Sequence, residues 1–231
     1  MSNISNPSER NPLVSYPSQA EFGRVLPKNK IYEHGAVKTR LKERFVEQVE
    51  QIVWQYKLAP ETINLPAKPG VPEIQVFRIT LKGQELDEAI LQCIDDAVQF
   101  PLLFELEHQG KVRMVASYKR PSEADSGRWV TSEYFWGNWL PVTTERNPLP
   151  AALDLGSLYA ALLKQLIPLT PRHSETLQQL VERYSAVKAA ALQIEKLKKK
   201  LEKEKQFNRK VEINGHLKAL KEELCQLGGD E

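Results

Sequence analysis

Asp95, Asp96, Glu105, Glu107 and Lys119 are the side chains whose types and spacing could support metal-dependent chemistry. An acid on one strand, joined by an acid-x-lysine triplet on the next, can hold a divalent ion against a phosphodiester. The ion polarises the phosphate and activates a water that the lysine helps to orient. Here the triplet position reads Ser117-Tyr118-Lys119, so its acid is missing. Asp95, Asp96, Glu105 and Lys119 are therefore candidates for a divergent or degenerate metal-dependent nuclease. Glu105 and Glu107 also have a structural explanation in the hairpin that carries them. The four histidines, His34, His108, His173 and His216, lack a spacing suited to a metal. Cys93 and Cys225 read as ordinary thiols of a reducing compartment. No glycine-rich phosphate loop, serine elbow or methyltransferase-like glycine motif is present. The sequence assigns no catalytic residue, no metal ligands and no cofactor.

A second kind of chemistry is contact with nucleic-acid backbone. Lys28, Lys30, Lys38, Arg40, Lys42 and Arg44 form one cationic cluster, and Lys198, Lys199, Lys200, Arg209 and Lys210 belong to another near the C-terminus. Both could neutralise phosphates. Both also fit a solvated helix face, with Glu43, Glu47 and Glu50 near the first cluster and Glu202 and Glu204 within the second. The formal net charge of +2 makes any such footprint local.

These residues must be positioned by the elements around them. Residues 100–120 read as a β-hairpin. A three-residue loop of His108, Gln109 and Gly110 would set Leu106 opposite Val112, Phe104 opposite Met114 and Leu102 opposite Ala116. It would also pair Glu107 with Lys111 and Glu105 with Arg113, giving one apolar face and one charged face. Before the hairpin, Val37, Leu41, Phe45, Val49, Ile52, Val53 and Tyr56 recur at helical spacing and predict a helix over 35–57. A strand over 73–81 has apolar groups on both faces, as a central strand would. A helix beginning near Leu86 has Glu85, Asp87 and Glu88 in its first turn, where the macrodipole favours anions. A loop over 121–127 and an aromatic strand over 128–136 follow the hairpin, and then a buried helix over 153–167.

From about 173 the pattern becomes a seam. Leu177, Leu180, Tyr184, Val187, Ala191, Ile194 and Leu201 alternate three and four apart, with Lys198 in one seam position, and Ile213, Leu217, Leu220, Leu224 and Leu227 repeat the spacing. Helices over 173–204 and 208–227 could fold as an antiparallel coiled-coil hairpin. One long helix is the alternative, and pairing between chains would make a homodimer. The expected architecture has three parts: a flexible segment over 1–25, an α+β domain over 26–172 with helices on a mostly antiparallel sheet, and the helical hairpin over 173–231. The 41% hydrophobic content is enough for a core, and no apolar run is long enough to cross a membrane, so a soluble cytoplasmic protein is expected.

Five stretches carry a resemblance: LKERFVEQVEQIVWQYKLAPETINL, EIQVFRITLK, PLLFELEHQGKVRMVASYK, LYAALLKQLIPL and EKQFNRKVEINGHLKALKEEL. Together, over about 25–227, the chain resembles an uncharacterised bacterial and archaeal domain family. Members of that family are encoded beside site-specific DNA methyltransferases and SNF2-type or restriction-type helicases, in restriction-like phage-defence operons. The resemblance implies a non-catalytic adaptor of such a complex, with a helicase or methyltransferase subunit as partner and DNA as a possible second one. It transfers no catalytic residue. A divergent restriction-type nuclease and a stand-alone dimerisation protein remain the competing readings.

Overall fold

The computed structural model describes residues 10–33, 37–125 and 128–228. Outside these lie the first nine residues of the expected flexible segment, His34, the expected helix start at 35–36, the end of the 121–127 loop, and 229–231. The chain divides into two compact units, Met1–Leu166 and Ile167–Glu231.

The first unit is built on a seven-stranded sheet. Along it run β2 (Glu21–Val25), β3 (Val49–Leu58), β4 (Ile74–Leu81), β5 (Leu102–His108), β6 (Lys111–Pro121) and β7 (Trp129–Trp136), in that order. The short β8 (Leu140–Pro141) pairs with β6, and the single turn of helix α3 (Pro60–Ile63) follows β3. Neighbours are antiparallel except β4 and β5, which are parallel and joined through α4 (Glu88–Ala97). The fold is thus α+β with a mostly antiparallel sheet.

One sheet face carries Phe77, Ile79, Leu102, Phe104, Leu106 and Val115. Ile90, Leu91 and Ile94 of α4 close over it, with Phe45 of α2 (Thr39–Gln48) and Ile31 of α1 (Lys28–Glu33). The other face is covered by α5 (Leu155–Leu166), which packs on β6 and β7, and by the parallel pair β1 (Val14–Ser15) and β9 (Asn147–Pro148). Both faces being covered, β4 and β5 are buried almost continuously, and period-two alternation fades from their sequences.

Three expectations are corrected. Residues 10–25 are structured rather than loose: Leu13, Val14 and Ala20 are buried, and β2 pairs with β3. The predicted helix over 35–57 stops at Gln48, and its second half is β3. Irregular register between Val49 and Gln51, and again between Trp54 and Tyr56, puts buried side chains three apart at Val49 and Ile52, which imitates a helical period. The hairpin uses a two-residue turn of Gln109 and Gly110, with φ of 46° and 73°, as a type I′ turn requires. Leu106 therefore faces Arg113, and Glu105 faces Met114. Arg113 can lie on the apolar face because its guanidinium sits 4.8 Å from the Trp136 ring centre and 5.9 Å from that of Trp139. Its Nε donates to the Gly137 carbonyl at 2.6 Å.

The second unit is a hairpin of α6 (Leu177–Lys203) and α7 (Phe207–Gly228). Arg183, near the start of α6, donates to the carbonyl of Leu227 at the end of α7, so the helices run antiparallel. Ile194, Leu197 and Leu201 meet Ile213, Leu217, Leu220 and Leu224. The seam passes through Leu197. Lys198, expected in it, is exposed and pairs with Glu195 at 2.7 Å. The turn needs no glycine, because the Glu204 carboxylate accepts from the amides of Lys205 and Gln206.

Arg183 also forks onto Glu175 at 2.7 and 2.9 Å and reaches the Thr170 carbonyl. The guanidinium holds the Glu175 carboxyl below its usual range. A carboxyl whose pKa is depressed on folding adds stability above its unfolded pKa, and that stability is lost as pH falls through the folded value. Differential scanning calorimetry of the full chain should show Tm falling on acidification through this window. Glu175→Gln should remove part of that fall, and an unchanged pH profile would count against the pairing.

Candidate functional site

The first cationic cluster is divided: Lys28 and Arg44 are committed within the fold, while Lys30, Lys38, Arg40 and Lys42 are exposed. Lys28 donates to the carbonyls of Phe45 and Val49 at 3.1 and 2.5 Å, at the junction where α2 ends and β3 begins. Burial, with Lys82 nearby, pulls its amine below the usual range. Arg44 pairs with Asp87, whose other oxygen caps α4 by accepting from Ala89 at 2.9 Å. Lys30 pairs with Glu33 at 2.9 Å, and Lys42 lies 5.6 Å from the Tyr32 ring centre. Lys38 and Arg40 are exposed. The six cations therefore do not form one free surface.

Lys119 and Asp95 come together as a buried pair, 3.4 Å apart and almost inaccessible. Lys119 also donates to the carbonyls of Asp95 and Val98 at the end of α4, so it acts as a side-chain cap for that helix. Asp95 accepts from Ser117 at 3.2 Å and from the Tyr134 hydroxyl at 2.6 Å. Burial raises the Asp95 carboxyl and lowers the Lys119 amine, and their mutual attraction opposes both shifts. Ser117, which stands where a nuclease triplet has its acid, thus serves as a donor to Asp95. Asp96, Arg128 and Trp129 rim a cleft of about 560 Å³ above this pair.

Glu105 does not join them. Phe104 and Leu106 face α4, so by alternation Glu105 points to the opposite side of the sheet. There it is fully buried and forks onto Arg146 at 2.6 and 3.1 Å, with Arg78 at 3.5 Å. Among the described residues, no three His, Cys, Asp or Glu side chains stand close enough to hold a metal ion.

The second cluster is arranged differently. Lys199, Lys200, Lys203, Lys205, Arg209 and Lys210 are exposed around the turn of the helical hairpin. None of these side chains makes a hydrogen bond or ion pair with a described residue. The Glu204 carboxylate accepts from the amides of the turn and lies within electrostatic reach of Lys200 and Arg209, so with Glu202 it only partly offsets the cations. Cation spacing in the sequence carries no information about which carbonyls lie within reach, so it could not separate the two clusters.

Fold and site together define an α+β protein with a C-terminal helical hairpin whose turn is cationic. Residues 14–224 match the family model described as Domain of unknown function (DUF4391), and the chain belongs to that family. Neither the curated proteins nor the solved structures contain a match. Among the described residues, no helix is long and apolar enough to cross a membrane.

Proposed function

We propose that this chain is a non-catalytic accessory subunit of a bacterial DNA restriction or phage-defence complex, binding a helicase or DNA methyltransferase subunit and contacting DNA backbone through the hairpin turn. The assignment to such a complex rests on the family resemblance carried by the five stretches of sequence. The DNA contact rests on one observation: six cations around the turn are exposed and make no ion pair with a described residue, whereas in the first cluster Lys28 and Arg44 are held inside the fold and Lys30 pairs with Glu33. Exposed cations release condensed counterions when they meet phosphates, and this gives affinity without sequence preference. A nuclease would need Glu105 beside Asp95 and Lys119, and they lie on opposite faces of the sheet. A dimer through the seam would need apolar residues that α7 already covers within the same chain.

The test is an anisotropy titration of a labelled duplex with the full chain over a series of salt concentrations. Binding should weaken steeply with salt. Reversing Lys199, Lys200, Arg209 and Lys210 to glutamate should weaken it at least about tenfold and reduce the salt slope by about 0.9 for each phosphate no longer neutralised. Absence of duplex binding at low salt, or indifference to these reversals, would defeat the DNA part of the proposal. Recovery of the chain from its host without any helicase or methyltransferase subunit would defeat the partner part.

A further inference from the structure

Phe207 opens α7 directly after the turn and is 77% exposed. Val211, one helical turn on, is 55% exposed. Residues four apart share a helix face, and this pair lies off the seam formed by Ile213, Leu217, Leu220 and Leu224. Packing within the hairpin therefore explains neither side chain. The row continues into Asn214 and Lys218, so the apolar face ends after two residues.

What surrounds the ring narrows the choice of partner. Lys203, Lys205, Arg209 and Lys210 are exposed on either side of it. A second copy of the same turn would bring like charges together. A membrane surface would need a longer apolar face than a phenylalanine and a valine supply. An aromatic ring among cations suits a nucleic-acid strand with unpaired bases: the ring stacks on a base while the cations follow the phosphates. In an intact duplex the bases are already stacked on one another, and the ring could engage them only by wedging a step apart.

We propose that Phe207 stacks on an unpaired nucleobase, so that the hairpin turn binds single-stranded nucleic acid in preference to blunt duplex. This inference rests on the cationic turn being a backbone contact and adds the form of nucleic acid it takes.

The test compares a labelled thymidine homopolymer strand with a blunt duplex, using the full chain, across a salt series. The wild type should bind the strand more tightly than the duplex. Phe207→Ala should weaken strand binding about tenfold to a hundredfold and leave the salt slope and duplex binding unchanged. Phe207→Tyr, which keeps the ring, should retain strand binding. If Phe207→Ala has no effect on strand binding while the charge reversals do, stacking is wrong and the backbone contact stands. If the variant loses strand and duplex binding equally, the ring has no preference for unpaired bases and the inference fails. If the wild type binds neither probe, both readings fall. Co-sedimentation with phosphatidylserine vesicles that depends on Phe207, without any effect on the strand, would identify the turn as a membrane element and overturn the proposal.

Discussion

Lys119→Ala is expected to destabilise the folded chain by about 3–5 kcal/mol, as removal of one partner from a buried pair does. Two losses combine. Asp95 keeps a buried carboxylate with only the Ser117 and Tyr134 hydroxyls as donors, and the terminal carbonyls of α4 lose their side-chain cap. Against a typical net stability of about 5–15 kcal/mol, this is a large fraction. Urea unfolding of the full chain measures it, and a loss below about 1 kcal/mol would show that the pair is not held as described. The pH response supplies a second reading. Burial already raises the Asp95 carboxyl, and without Lys119 nothing cationic opposes that rise. A group whose pKa is raised on folding binds its proton more tightly in the native state, so stability is gained as pH falls through the raised value toward the ordinary aspartate range. The variant should therefore recover stability on mild acidification, in contrast to the general trend for paired carboxylates. Asp95→Asn combined with Lys119→Met should cost less than Lys119→Ala alone, because neither charge is then left buried without a partner.

The pattern of amino acids carried some parts of this fold plainly and concealed others for identifiable reasons. The two-faced apolar run at Ile74–Leu81 marked a central strand, and Glu85, Asp87 and Glu88 marked the start of α4, which begins at Glu88 rather than near Leu86, with Asp87 as its capping residue. The 3-4 spacing after about 173 revealed two helices. The boundary between α2 and β3 was hidden because the bulged strand spaces its buried side chains like a helix. The hairpin register was hidden because it was argued from one apolar face and from pairing among neighbouring charges within the hairpin. Glu105 takes its arginines from elsewhere, Arg78 on β4 and Arg146 before β9, and Arg113 lies beneath tryptophans. The same limit applies to the candidate site. That Lys28 and Lys119 reach the ends of helices depends on tertiary placement, to which local spacing is blind. The cations around residues 199–210 were legible as a group, but which of the two clusters stayed free was not, because Lys28 and Arg44 are taken up by partners that only the tertiary fold brings near.

Arg146→Ala should be nearly as damaging as Lys119→Ala, at about 3–5 kcal/mol, although Arg146 is itself partly exposed. The asymmetry lies in its partner. Glu105 is fully buried, and without Arg146 it keeps only Arg78, whose contact at 3.5 Å is longer. Arg146 also donates to the Val14 carbonyl at 2.9 Å, so its loss releases the β1–β9 pairing that covers this face of the sheet. The reverse change, Glu105→Gln, should cost less, since the arginine left behind can turn toward water and the amide can still accept from it. Arg146→Lys should fall between them, because an ammonium cannot reproduce the two-pronged contact. Urea unfolding ranks the three variants. Hydrogen exchange should show faster exchange at Val14 and Ser15 in Arg146→Ala than in Glu105→Gln. Equal costs for the alanine and glutamine variants would mean that the buried carboxylate is not the expensive member of the pair. The N-terminal strand would then have to be held by contacts other than this arginine.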